Sequence, residues 1–249
     1  MNTMRHLGMT CVVATALALT QAPAVSAAPL IMNGGFESGF SGWTRADFLG
    51  SDGTFFLQSG TTSPSSATTV PAPPGGTTAA MSDAQGPGSH VLYQDFVAVA
   101  QQSVLNFDLF VGNRADRFAT PASLDWTTPT LNQQARVDIL RAGADPFSVS
   151  AADILLSVFQ TAVGSPLVFG YTTFSVDVSA LLAANAGQTL RLRFAEADNI
   201  NTFQLGVDNV SLQEGPVVPE PASLVLLGTG LLAVAARRRR GRENEGGIR

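Results

Sequence analysis

The chain has 249 residues, 45% of them apolar, a formal net charge of −5 and no lysine. That charge is unevenly spread: six of the fourteen arginines lie in the last thirteen residues, while residues 29–216 hold sixteen Asp and Glu against seven Arg, a net of −9. So acidic a segment repels nucleic acid and anionic lipid, which excludes a DNA- or RNA-binding role and points to neutral glycans, proteins or cations as partners; the acidity serves solubility equally well.

At the N-terminus, Met1 to His6 carries Arg5, Leu7 to Leu19 is apolar, and Ala24-Val25-Ser26-Ala27-Ala28 offers small residues for cleavage. This is the pattern of a secretory signal peptide covering residues 1–28. The single cysteine, Cys11, and one of the two histidines, His6, lie inside it. The mature chain then has no disulfide and no thiol nucleophile, and with His90 alone it has no multi-histidine metal site and no recognisable catalytic triad. Residues 29–216 fit one domain.

Within that domain the hydrophobic period is mostly two. His90 to Val97, Ser103 to Val111, Ala135 to Leu140, Phe174 to Val178, Thr189 to Phe194 and Gly206 to Leu212 each place apolar residues two apart, the pattern of half-buried strands. Only Ser150 to Gln160 and Ala180 to Ala186 read as helical. Ser59 to Thr78, rich in Ser, Thr, Pro and Gly, reads as a solvated loop. Gly112 to Gln134 is a second long loop, and it carries Asn113, Asp125 and Trp126. A tryptophan beside a carboxylate and an amide suits a sugar ring, with stacking on one face and hydrogen bonds at the rim; alternatively Trp126 covers an edge of the core. Many short strands separated by turn residues predict an all-β sandwich or barrel.

Two segments sharpen that expectation. Leu30-Ile31-Met32-Asn33-Gly34-Gly35-Phe36-Glu37 followed by Gly42-Trp43, and Gly206-Val207-Asp208-Asn209-Val210-Ser211-Leu212 at the far end, resemble the opening and the final strand of carbohydrate-binding-module and galactose-binding-like jelly rolls. The resemblance implies a jelly-roll β-sandwich whose first and last strands lie side by side, bringing Glu37 near Asp208. It also implies a structural calcium there, held by Glu37, Asp208 and carbonyls around Asn33; the alternative is that Glu37 caps a turn and Asp208 bonds a neighbouring loop.

The C-terminus has a different grammar. Val218-Pro219-Glu220-Pro221-Ala222-Ser223 leads into an uncharged apolar run, residues 222–236, which stops against Arg237 to Arg240. Fifteen helical residues rise roughly 22 Å, short of the ~30 Å hydrocarbon core, so the run suits temporary anchoring in the inner membrane. The arginines would hold its end on the cytoplasmic side. Motif, span and basic stop together resemble the PEP-CTERM sorting signal of Gram-negative bacteria, placed here at residues 217–249. The resemblance implies recognition of Pro219, Glu220 and Pro221 by exosortase, a membrane-embedded transpeptidase, and delivery to the cell surface or extracellular matrix. The sequence therefore predicts an exported binding or scaffolding protein, with extracellular polysaccharide among its partners. The alternative is a secreted glycan-active enzyme working through paired carboxylates.

Overall fold

The computed structural model describes residues 29–101 and 103–214. The predicted signal peptide, the motif Pro219-Glu220-Pro221 and the apolar run 222–236 lie outside the described residues. Among those described, no helix is long and apolar enough to cross a membrane.

Ten strands and one short helix follow in the order β1 (Thr44–Asp47), β2 (Thr54–Gln58), β3 (Ala79–Asp83), β4 (Gly88–Val97), β5 (Ser103–Asn113), β6 (Gln133–Arg141), β7 (Ile154–Gln160), β8 (Val168–Asp177), α1 (Ser179–Ala184), β9 (Thr189–Asp198) and β10 (Phe203–Glu214). They form two five-stranded sheets, one ordered β1-β4-β9-β6-β7 (sheet A) and the other β2-β3-β10-β5-β8 (sheet B). Without the edge strands β1 and β2, the remaining orders 4-9-6-7 and 3-10-5-8 are the two interleaved sheets of an eight-stranded jelly roll. All pairings are antiparallel.

The period-two pattern explains the layers. In β5, Leu105, Phe107, Leu109 and Val111 enter the central core; in β9, Leu190, Leu192 and Phe194 do so from the other sheet. Phe107 stacks on Phe174 at 5.2 Å and meets Phe194 edge-on at 5.4 Å. Trp43 is buried in the same core, 6.1 Å from Phe194, and its indole N–H bonds the Asn33 carbonyl.

The outer faces are covered too. Residues 59–78, expected as a solvated loop, strap the outer face of sheet B: Ser63 and Thr68, and Thr61 and Val70, pair through backbone bonds, and Val70 packs with Met81, Phe110 and Tyr171. Polarity did not preclude packing because the sheet face beneath supplies matching partners. Asp83 accepts the N–H groups of Ser65 and Ser66, Gln58 donates to the carbonyls of Gly60 and Pro71, and Gln204 donates to Ser66 and Thr68. On sheet A, Phe147 and Val149 pack with Val91, Ala195 and Ala197, and fully buried Arg193 bonds Asp138 and the carbonyls of Pro146 and Ser148.

Two other expectations change. The stretch 150–160 is not helical: after a turn closed on the Ser150 carbonyl, Ile154–Gln160 pairs with β6 through two register shifts. A short, nearly unbroken apolar run fits either state by period, and here an open sheet edge decides it. The opening segment does not lie as a strand beside the last one: β1 belongs to sheet A and β10 to sheet B. What touches β10 is the turn at Gly34, whose carbonyl accepts the Val210 N–H. A Cβ at Gly34 would lie 1.7 Å from the Val210 carbonyl oxygen, so only glycine allows that approach.

Candidate functional site

On the β1–β2 side lies an open cleft of about 590 Å³ lined by Phe40, Trp43, Thr44, Arg45, Asp47, Gly53 and Thr54. Alternation along β1 sets Arg45 and Asp47 on one face, both exposed. Arg45 reaches across to sheet B, donating to the Phe55 carbonyl at 2.9 Å, and its guanidinium lies 4.6 Å over the Phe40 ring. At Gly53, where φ is +80°, an added Cβ would meet the Asp83 carbonyl oxygen at 2.3 Å, so this wall of the cleft requires glycine.

Behind the cleft runs a buried polar row. Asp47 bonds the Nδ1 of His90 at 2.8 Å, and the Nε2 of fully buried His90 lies 3.7 Å from a Glu196 oxygen. Among the described residues, neither His90 Nε2 nor the second Glu196 oxygen has a hydrogen-bond partner. Burial, reinforced by the charge of Asp198, lifts the Glu196 carboxyl well above the usual carboxylate range, and the Ser82 hydroxyl partly offsets this. Burial also pushes Asp198 up to about 7, against hydrogen bonds from the N–H groups of Gly88 and Phe203. These groups share one interior end of the sandwich because register pairs His90 with Glu196 and Gly88 with Asp198.

A smaller depression of about 220 Å³ lies at the loop end, lined by Gln85, Gly86, Pro87, Asn199, Ile200, Asn201 and Thr202. The turn at Asp52 borders both hollows: its carboxylate accepts the N–H groups of Gln85 and Gly86, while Gly53 lines the larger cleft.

The residues singled out in the sequence do not converge. Trp126 is half-buried, with Cζ2 3.5 Å from where a Cβ on Gly50 would lie, and its carbonyl accepts from Asn199 beside the smaller depression. Asp125 is spent on the turn, accepting from the N–H and hydroxyl of Thr127. Asn113 departs from its expected place in a ligand loop. It ends β5 with its side chain inward, bonded to the Arg117 carbonyl, the Ala115 N–H and Gln133, and is 3% exposed. No polar atom of it is left for a sugar.

Glu37 and Asp208 do approach one another, both facing the turn 75–78. Glu37 accepts four bonds, from the N–H and hydroxyl groups of Thr77 and Thr78, which hold it down at about 2. Asp208 accepts from Gly75 and Asn209, and burial pushes it up to about 6. The Asn33 carbonyl is occupied by the Phe36 N–H and Trp43. A calcium shell needs six to eight oxygens with free lone pairs. Here the oxygens already face N–H and O–H donors, and as arranged they do not fit the ion.

Arg45, Asp47 and Phe40 were not singled out in the sequence. The only signal was Arg45 and Asp47 two apart after Trp43, informative only once 44–47 is known to be a strand at an open edge.

Residues 217–240 match the family model of the PEP-CTERM protein-sorting motif. The chain is similar in structure to the carbohydrate-binding module TmCBM61, solved with β-1,4-galactotriose, at 10% identity over 76% of this chain and 100% of that one, with a TM-score of 0.40. A family 11 carbohydrate-binding module from Clostridium thermocellum aligns at 11% identity over 73% and 93%, with a TM-score of 0.38. The K3 adhesin domain of Lys-gingipain from Porphyromonas gingivalis W83 aligns at 12% identity over 72% and 96%, with a TM-score of 0.43. No curated protein matches the sequence.

Proposed function

We propose that this is an exported protein, sorted to the cell surface or extracellular matrix by an exosortase acting at Pro219-Glu220-Pro221, with a sandwich that binds extracellular glycan in the β1–β2 cleft. The observation that carries the reading is the sorting motif at 217–240. The signal-peptide pattern of residues 1–28 agrees with it, and the apolar run 222–236 supplies transient contact with the inner membrane. The direct test is processing in the native host: Glu220→Ala should accumulate a membrane-retained precursor, and normal maturation of that variant would refute the sorting account.

The chemistry of the cleft supports the glycan part. Sugars present apolar ring faces edged with hydroxyls. The cleft offers aromatic Phe40 and Trp43 among a polar majority, Thr44, Arg45, Asp47 and Thr54, which supply donors and acceptors for hydroxyl groups. Binding to a neutral glycan should be nearly insensitive to salt. On a polysaccharide panel, Arg45→Ala and Asp47→Asn should lose binding while Trp126→Ala retains it. The reverse pattern would move the site to Trp126 and Asp125 beside the smaller depression.

An enzymatic reading has one observation behind it: Asp47, in the cleft, is backed by His90 and Glu196. Release of reducing sugar by the wild-type protein, abolished in Asp47→Asn, would establish it.

A further inference from the structure

The side of the sandwich opposite the cleft is closed differently. There β7 is the last strand of sheet A and β8 the last of sheet B, so among the described residues each has one edge without a neighbouring strand. Phe159 of β7 bridges the gap, 5.2 Å from Phe174 and 6.3 Å from Phe169 of β8. Among the described residues, nine of the eleven half-buried apolar side chains that pack on the main core lie between Leu155 and Leu181. The core is thus only half covered on this side.

Charge sets the same side apart. From Ile154 to Val176 there is no Asp, Glu, Arg, Lys or His, twenty-three residues in a domain of net −9. Edge strands are usually blunted by lysine, proline or inward charges. Neither β7 nor β8 contains any of these, and only the register shifts interrupt them. In β8 the shift lies before Thr172, leaving Thr172–Asp177 in regular pairing with β5 and with its other edge open.

We propose that this face is a homodimer interface, in which β8 of one copy pairs antiparallel with β8 of a second about a two-fold axis and joins the two B sheets. Two identical acidic domains repel over most of their surface, and the stretch 154–176 is where they can meet without opposed like charges. A two-fold places one patch against itself, and an antiparallel strand pair satisfies that symmetry with the edge's own N–H and C=O groups. The apolar side chains along β7 and β8 would be covered in the same step.

The chain's one cysteine, Cys11, makes the test clean. In a Cys11→Ser background, single cysteines at exposed Thr172 or Ser175 of β8 should form disulfide-linked dimers on mild oxidation, while one at exposed Thr127 should not. By sedimentation, the protein without added cysteines should show concentration-dependent dimers, and Val168→Glu with Thr172→Glu should weaken them by about tenfold or more. Both substituted positions are exposed, so an unchanged melting midpoint would confirm that the variant remains folded. A protein that stays monomeric at all concentrations, or a dimer indifferent to the two glutamates, overturns the proposal. Dimers lost on deleting residues 222–249 also overturn it, by assigning association to the apolar tail.

Discussion

The buried carboxyl groups at the loop end of the core predict that this domain weakens as the medium turns alkaline. Asp198 has an ordinary value of 3.8 and is pushed up to about 7 in the folded protein. A raised carboxyl binds its proton more tightly folded than unfolded, so its contribution is fully present below about pH 4 and is lost as pH rises through about 7. At about 1.4 kcal/mol per pH unit over that interval, Asp198 alone removes about 4 kcal/mol by pH 8. For a domain of this size that corresponds to a fall in Tm of about 8–16 °C. The groups facing it act in the same direction: Glu196 is raised by burial, the charge of Asp52 raises Asp198 itself, and among the described residues no arginine pairs with either carboxyl. Thermal unfolding followed by circular dichroism from about pH 5 to 8 at constant ionic strength should show the decline. In Asp198→Asn, which retains an oxygen for the Gly88 N–H but does not titrate, the loss between about pH 6 and 8 should shrink by at least half. A midpoint that is flat or rising over this range, or an identical slope in the variant, would refute the reasoning.

Further outcomes follow from individual contacts. Phe107→Ala empties the centre of the aromatic cluster and should cost about 3–5 kcal/mol, measured by urea denaturation, with no change in the pH slope. Calcium and chelator should give the same melting midpoint, because Glu37 is filled by Thr77 and Thr78; a rise of several degrees in calcium would show that the ion displaces those donors. Glu37→Gln removes the charge that its four donors hold at about 2, so the 75–78 turn should become the first site of limited proteolysis. Protection equal to wild type would show that the backbone alone fixes the turn.

What could be read from the sequence depended on how local the cause was. Strands β4, β5, β6, β9 and β10 announce themselves because one face is core and the other is not, and alternation records that directly. Strand β7 does not, because Ile154 to Phe159 is apolar almost throughout and only the vacancy beside β6 selects extended chain. Strands β1 and β2 are short edges, with three of the four β1 residues exposed, and carry little pattern. Asn113 illustrates the converse: a polar residue at the mouth of a long loop looked free, but β5 continues through it and turns its amide inward. The cleft was illegible for a more basic reason. Asp47 meets His90 from forty-three positions away, and His90 meets Glu196 only through the register of β4 and β9. No spacing in the chain encodes those contacts.

The position of β10 has a consequence for the order of events during synthesis. It is the last of the described strands to be made, yet it lies third of five in its sheet, with β3 on one side and β5 on the other. Until residues 203–214 are available, sheet B exists only as two separate pieces, β2-β3 and β5-β8, and the sandwich has an open seam along its centre. Pro219 comes five residues after Glu214, a reach of at most about 18 Å even if fully extended. Completion of the domain and presentation of the sorting motif are therefore nearly simultaneous. An enzyme that engages the motif acts on a sandwich whose central strand in sheet B has only just become available, and a chain too damaged to seat β10 carries the same motif beside a split sheet.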